Sequence, residues 1–128
     1  MSYRVYISYS VKDSELVKDL ARRLSDAGAG IFMVADRAET GEAEYIRRVI
    51  HTRLRESDEV IVLLTDNSAN NPWVRYEMGV ADSLEKRLTP VVVNEGVEKL
   101  VPMIGKNFIK YGELPKYISS LKKRAKAA

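Results

Sequence analysis

Residues 59–64 read EVIVLL, an aliphatic run that follows a single glutamate. Such a run is typical of a β-strand that is covered on both faces, because a strand with one face in water would alternate polar and apolar residues. Strands covered on both faces lie in the interior of a parallel sheet. We therefore predict that Glu59 to Leu64 form a central strand of an α/β domain.

On both sides of this strand, short β-rich runs alternate with amphipathic helical stretches. The other strands are predicted at residues 3–8, 31–34, 89–93 and 107–111. A final helix is predicted to begin at about Leu114. This order over 128 residues predicts a flavodoxin-like, three-layer α/β/α fold with a central five-stranded parallel sheet. We expect one domain over residues 1–128, with a core at about 3–111 and a basic C-terminal helix at about 114–126.

Local signals predict where the helices begin and end. Asp13 and Thr40 are predicted to cap the first and second helices, and Asn71 the third, with Pro72 at its first position. Gly28 and Gly30 are predicted to end the first helix, and the third is expected to run to about Arg87. The predicted buried faces are Leu16, Val17, Leu20, Ala21 and Leu24 in the first helix, and Ile46, Val49, Ile50 and Leu54 in the second.

The composition excludes several kinds of site. The chain has no cysteine and one histidine, which excludes disulfides, thiol nucleophiles and a zinc site built from these residues alone. No apolar run approaches the ~20 residues of a membrane-spanning helix, and no export signal is evident. We expect a cytoplasmic protein with no membrane partner. Glycine-rich phosphate loops are missing too, and Ser8, Tyr9 and Ser10 stand where a receiver domain would carry paired acids.

Positive charge is concentrated at the C-terminal end. The formal net charge is +3, and residues 110–128 hold six basic side chains and one acidic. Such a segment can bind nucleic acid or an anionic surface. We favour instead a solvated last helix whose basic end complements the helix dipole, and we do not expect nucleic acid as a partner.

The third predicted helix carries a carboxylate on its apolar face. Trp73 and Glu77 are four residues apart, so they stack on one side of the helix, together with Val80, Ala81 and Leu84. Most helical glutamates are solvated, which is the alternative interpretation. Partial burial beside Trp73 would instead indicate a functional residue. Tyr76 and Arg75 are expected to point away from this face, and His51 to be exposed on the polar side of its own helix.

At two places the sequence resembles the Toll/interleukin-1 receptor (TIR) domain family, and the likeness covers about residues 3–104. Tyr6-Ile7-Ser8-Tyr9-Ser10 is similar to the first conserved box of TIR domains, and Trp73-x-x-x-Glu77 to their catalytic helix motif. Residues 36–41 match the position of the family's BB loop. Many NAD⁺-cleaving relatives carry an aromatic residue just after the BB-loop glycine, where this chain has Ala43. The family's last box is not evident, since Phe108 and Tyr111 match it poorly.

The resemblance implies an NAD⁺ glycohydrolase or cyclase that releases nicotinamide with ADP-ribose or cyclic ADP-ribose. Glu77 would be the catalytic residue, NAD⁺ would be a substrate, and no cofactor or metal is expected. The predicted substrate-binding residues are Tyr9, Ser10, Asp36, Arg37, Glu39, Ser68 and Trp73. For Arg37 a plain loop charge remains open, and for Ser68 an ordinary turn residue.

The resemblance also implies partners. TIR enzymes commonly complete their active site with the BB loop of a neighbouring copy, so we expect a homo-oligomer, with a separate sensor or effector protein, in prokaryotic defence or signalling. Two other interpretations remain open. One is a non-enzymatic adaptor that acts by TIR–TIR contact, and the other is an enzyme similar to nucleoside deoxyribosyltransferases.

Overall fold

The computed structural model of the chain describes residues 2–34, 42–104 and 107–128. The strands are β1 (Tyr3–Ser8), β2 (Ala29–Phe32), β3 (Glu59–Leu64), β4 (Arg87–Val92) and β5 (Ile109–Lys110). The α-helices are α1 (Ser14–Asp26), α2 (Ala43–Arg55), α3 (Pro72–Ser83) and α4 (Leu114–Ala127). Short 3-10 turns lie at Val11–Asp13, Val97–Leu100, Pro102–Ile104 and Tyr111–Glu113.

The five strands form one parallel sheet in the order β2-β1-β3-β4-β5. β3 is the middle strand, and all six of its residues are buried. Both predictions for residues 59–64 are thereby confirmed, as is the flavodoxin-like α/β fold. Because the strands are parallel, their carboxyl ends share one edge of the sheet, where ligands bind in open α/β folds.

The helices cover both faces of the sheet. Successive residues of a strand point to opposite faces, so Tyr6 and Val62 pack in one core cluster while Ile7 and Leu63 pack in the other. The first cluster includes apolar residues of α2 and α3, and the second includes those of α1 and α4. The predicted helix faces are buried at Val17, Leu20 and Leu24, and at Ile46, Ile50 and Leu54, while Leu16, Ala21 and Val49 are partly exposed.

Asn71 caps α3 as predicted, but Asp13 does not cap α1. The Asn71 side chain accepts hydrogen bonds from the backbone N–H of Trp73 at 2.9 Å and of Val74 at 3.2 Å. Asp13 lies at the cap position of α1 without making the capping bond. Its carboxylate is engaged elsewhere, because it accepts hydrogen bonds from Thr65 Oγ1 at 2.6 Å and from Asn67 Nδ2 at 2.7 Å.

Several predicted boundaries were wrong. β2 begins two residues early, at Ala29, because Ala29 and Gly30 pair with Tyr3 and Arg4 of β1. Gly28, at φ +100°, follows the end of α1, whereas Gly30 belongs to the strand and does not end the helix.

α3 ends at Ser83 and not near Arg87, since Arg87 starts β4 opposite Glu59. β4 ends at Val92, and β5 is limited to two of the five predicted residues. α4 starts at Leu114, as predicted. The predicted cap Thr40 lies outside the described residues. In the ranges that are described, no helix is long and apolar enough to cross a membrane.

Candidate functional site

The start of α3 places Glu77 against the carboxyl end of β1. Asn71 and Pro72 begin the helix directly after the loop that follows the central strand. Glu77 is therefore on the second turn of α3, and its side chain is fully buried in spite of its charge. The alternative that Glu77 is a solvated surface residue is thus contradicted.

Two hydroxyl groups of β1 hold the Glu77 carboxylate. Ser8 Oγ donates a hydrogen bond to Glu77 Oε1 at 2.7 Å, and the Tyr6 hydroxyl donates one to Oε2. Tyr6 and Ser8 are two apart on a strand, so they point to the same face of the sheet. Both side chains are buried. The carboxylate is therefore fixed, with one hydroxyl on each oxygen, near the last residue of a strand.

Trp73 lies one turn before Glu77 and is partly buried. Its ring meets the ring of Tyr76 edge-on, with 6.0 Å between centroids. Tyr76 turns towards α2, where its hydroxyl lies 2.9 Å from Nε2 of His51. Tyr76 thus contacts α2 as well as Trp73. His51, expected to be exposed, is partly buried because of this contact.

The loops after β1 and β3 meet, as expected for neighbouring parallel strands. Tyr9 and Ser10 are both buried, and Ser10 Oγ accepts a hydrogen bond from the Lys12 N–H at 3.3 Å. Asp13 joins this segment to the second loop through Thr65 and Asn67. Ser68 is fully buried, where its hydroxyl donates to the carbonyl of Leu63 at 2.7 Å.

The hydroxyl of Ser68 also accepts from the Thr65 N–H at 2.9 Å. These are the hydrogen bonds of a turn residue, which was the alternative interpretation for Ser68. The segment that follows β2 along the chain, residues 35–41, contains the positions that match the family's BB loop. It lies outside the described residues, and so do the predicted substrate-binding residues Asp36, Arg37 and Glu39.

Sequence reasoning did not assign Tyr6 or Ser8 to Glu77. The signal was available, because two hydroxyl side chains spaced two apart near the end of a strand share a face. It also did not find a second fully buried carboxylate, Glu59, at the opposite end of the sheet. The signal there was a glutamate that opens an otherwise aliphatic strand. Across the described ranges, no group of three or more His, Cys, Asp or Glu residues is arranged to hold a metal ion.

This arrangement can stabilise positive charge or bind hydroxyl donors. A carboxylate has about four acceptor positions on its two oxygens, and hydroxyl groups are neutral donors that a ligand's own hydroxyls can replace. Because Glu77 has no exposed surface, a ligand reaches it only when neighbouring side chains move. The site is therefore organised around its acid but closed over it.

Comparisons with known proteins agree with the fold. A family model described as "TIR domain" matches residues 5–122. A protein of Cytobacillus dafuensis with the provisional name cyclic ADP-D-ribose synthase TIR2 is 27% identical over 103 residues. That match covers 75% of this chain and 27% of the relative, so the chain spans about a quarter of the relative's length.

Solved structures with low sequence identity share the fold. The TIR domain of a Toll-related receptor from Hydra magnipapillata superimposes with a TM-score of 0.75 at 18% identity, covering 98% of this chain and 99% of that one. A 2-deoxyribosyltransferase from Bacillus psychrosaccharolyticus gives 0.71 at 13% identity, covering 92% and 95%. With a family model that matches almost its whole length and the five-stranded fold to support it, this chain belongs to the TIR domain family.

Proposed function

We propose that this TIR domain cleaves the bond between nicotinamide and ribose in NAD⁺, with Glu77 as the catalytic residue. The observation that carries the proposal is the buried Glu77 carboxylate, held by Tyr6 and Ser8 at the ligand-binding edge of the sheet. The reaction named for the Cytobacillus dafuensis relative is of the same class, which supports the assignment.

The chemistry needs few groups. When the bond between C1′ and the pyridinium nitrogen breaks, its electron pair stays on nitrogen and nicotinamide leaves as a neutral molecule, so no general acid is required. The ribose carbon becomes oxocarbenium-like, and a carboxylate beside it stabilises the developing charge. Water then bonds to C1′ and releases a proton to solvent, which gives ADP-ribose. Attack by an adenine nitrogen of the same molecule gives cyclic ADP-ribose instead.

Tyr6 and Ser8 have a defined part in this proposal. They donate hydroxyl hydrogen bonds to the same carboxylate that would bind the ribose. A ribose diol offers two donors of the same kind, so substrate binding can exchange hydroxyl for hydroxyl on the carboxylate. Trp73, Tyr9 and Ser10 are proposed to line the pocket that this exchange opens, together with Ser68 and with Asp36, Arg37 and Glu39 of the undescribed loop.

Partners and location belong to the same proposal. We infer that copies of the chain associate through TIR–TIR contacts, so that one copy completes the NAD⁺ site of the next. The protein would act in the cytoplasm, in prokaryotic defence or signalling, with a separate sensor or effector. It would use NAD⁺ as a substrate and need neither cofactor nor metal.

One observation favours a second candidate, a non-enzymatic adaptor that acts by TIR–TIR contact. Glu77 is fully buried and hydrogen-bonded, as a purely structural carboxylate would be. Ala43, in place of the aromatic residue of NAD⁺-cleaving relatives, agrees with that interpretation. A third candidate is a deoxyribosyltransferase-like enzyme, because the Bacillus 2-deoxyribosyltransferase shares the fold of this chain.

Nicotinamide release from NAD⁺ by concentrated protein tests the proposal, with chromatography of the products. We expect turnover by the wild type and a fall of about 10²- to 10³-fold in Glu77→Gln, as when a preorganised transition-state contact is removed. Glu15→Gln is the matched control, because Glu15 is exposed on α1. Circular dichroism would show that each variant folds.

Three outcomes separate the candidates. Turnover that depends on Glu77 supports NAD⁺ cleavage. No turnover by the wild type, even when the protein is crowded or cross-linked into oligomers, favours the adaptor. Exchange of the base on a nucleoside, without action on NAD⁺, favours the deoxyribosyltransferase-like enzyme.

A further inference from the structure

A cavity opens at the carboxyl ends of β4 and β5. Its volume is about 250 Å³, and its lining includes Val92, Glu95, Glu98, Phe108, Lys110 and Tyr111. In the sheet order, β3 lies between β4 and the strand that carries Tyr6 and Ser8. The cavity is therefore separate from the Glu77 site, and a ligand can bind in it whether or not the domain cleaves NAD⁺.

One atom of the lining residue Glu98 lacks a hydrogen bond. Glu98 Oε2 is buried, and it has no partner in the described part of the chain. Glu98 sits in the 3-10 turn Val97–Leu100, which follows Gly96 at φ +87°. A buried carboxylate oxygen without a donor is costly, so a ligand whose N–H or O–H group meets this oxygen, once the partly exposed Glu98 side chain turns towards the cavity, gains affinity.

The charge of the lining favours one class of ligand. Among the described lining residues, Glu95 and Glu98 contribute two negative charges and Lys110 one positive charge, so their sum is negative and disfavours phosphates and carboxylates. Valine and aromatic side chains form the apolar part of the wall. The Tyr111 hydroxyl already donates to Asp19 Oδ2 at 3.0 Å, which fixes that ring. The cavity thus combines acceptors for N–H donors with an apolar wall for a short hydrocarbon.

We propose that this cavity binds a small organic cation of the guanidinium or alkylammonium class, with Glu98 as its hydrogen-bond acceptor and Glu95 as a second negative charge. The volume equals that of about eight water molecules, which suits a cation with a chain of a few carbons. Guanidinium is the stronger fit, because its planar N–H donors match a carboxylate.

The test is a titration of ¹⁵N-labelled protein with n-butylguanidinium, followed by two-dimensional NMR. Gly96 and Gly112 line the cavity, and their amides report binding, while Gly28 and Gly79 lie elsewhere and serve as internal references. Among these four glycines, we expect saturable changes in amide chemical shift at Gly96 and Gly112 and none at Gly28 and Gly79. The neutral analogue n-butylurea, of nearly the same shape, should bind more weakly because it lacks the charge.

Two variants sharpen the test. Glu98→Gln should weaken n-butylguanidinium binding by at least about tenfold, since a charge-assisted hydrogen bond is lost, whereas the exposed control Glu15→Gln should not change it. Lys110→Gln should strengthen binding, because it removes a like charge. Three results would overturn the proposal: no saturable shift in the wild type, equal affinity in Glu98→Gln, or tighter binding of inorganic phosphate than of the cation.

Discussion

Glu59 and Glu77 are both fully buried, yet they lie at opposite ends of the sheet and have different partners. Glu59 is the first residue of β3 and accepts hydrogen bonds from Arg124 Nε at 3.0 Å and Arg124 Nη2 at 3.1 Å. The hydroxyls of Tyr3 and Tyr117 donate to the same carboxylate. Glu77, near the end of β1, is held by two hydroxyls of that strand.

The hydrogen-bond partners, and not the burial, distinguish the two acids. The four donors on Glu59 match the acceptor capacity of a carboxylate, and a guanidinium among them neutralises its charge. We call Glu59 and its partners Tyr3, Tyr117 and Arg124 the Glu59 cluster. Because Tyr117 and Arg124 belong to α4, this cluster attaches the last helix to the sheet. The hydroxyls on Glu77 come from one strand at the ligand-binding edge. They are the kind of donor that a sugar can replace.

Removal of the cation from the Glu59 cluster should have the largest effect. Arg124→Met leaves a buried carboxylate without its counter-charge, and we expect unfolding to become easier by about 3 kcal/mol. Urea denaturation measures this. Arg22→Met is the control, because Arg22 forms an ion pair with Asp19 at the exposed surface. A loss equal to that of the control would show that Glu59 does not depend on Arg124.

A smaller effect is expected at the other acid. Tyr6→Phe removes one hydroxyl from Glu77 and should lower the free energy of unfolding by about 1–2 kcal/mol, because a buried carboxylate loses a donor. It should also change NAD⁺ turnover if the proposed function is correct. Tyr45→Phe, at an exposed position on α2, is the matched control. A loss as large as that of Arg124→Met would make the two acids equally structural.

Alkaline pH should lower the free energy of unfolding through the tyrosines that bind Glu59. The decrease is at most about 1.4 kcal/mol per pH unit for each tyrosine. Burial, and then the charge and hydrogen bond of Glu59, raise the pKa of Tyr117 above its ordinary value of 10.0. A raised pKa means that the folded state favours the protonated phenol. Its contribution is therefore complete below pH 10 and is lost as the pH rises above that value.

Denaturation at several pH values between about 8 and 12 measures this loss. Tyr117→Phe carries no titrating group at this position, so its stability should fall less steeply than that of the wild type. Parallel curves for the two proteins would contradict the prediction. Tyr3, whose pKa burial and the Glu59 hydrogen bond also raise, stays in both proteins and cancels in the comparison.

The smallest effect is expected beside the Glu77 site. Asp13→Asn keeps the shape of the side chain but puts an NH2 group in place of one of the two oxygens that accept from Thr65 and Asn67, and we expect a loss of about 1 kcal/mol in the free energy of unfolding. Asp26→Asn, at the exposed end of α1, is the control. If Asp13 positions the loops for catalysis, NAD⁺ turnover should fall by more than this loss of stability explains. Unchanged turnover would limit Asp13 to folding.

The features that sequence predicted best are those set by local chemistry. The aliphatic run 59–64 and the Asn71-Pro72 helix start depend on a few adjacent residues, and both are confirmed. The start of β2 depends on pairing with Tyr3 and Arg4, which no local pattern reveals. The predicted cap at Asp13 failed for a similar reason. Its side chain accepts hydrogen bonds from Thr65 and Asn67, which are distant in sequence, instead of capping α1.

For the candidate site, the sequence led to Glu77 but not to its surroundings. The four-residue spacing from Trp73 placed Glu77 on an otherwise apolar face, and its burial agrees with that placement. Its partners come from a strand 69 and 71 positions away, so they become neighbours only after folding. The catalytic role of Glu77 and the predicted substrate contacts stay predictions until turnover is measured.

The Glu59 cluster also bears on where the domain can be cut. The family match runs from residue 5 to residue 122, and so it omits Tyr3 and Arg124, two of the three side chains that bind Glu59. A fragment trimmed to the matched span would keep every strand residue from Val5 onward and still bury an acid without its cation. Shortened versions made for crystallisation or fusion should therefore extend past Arg124, or carry a neutral residue in place of Glu59.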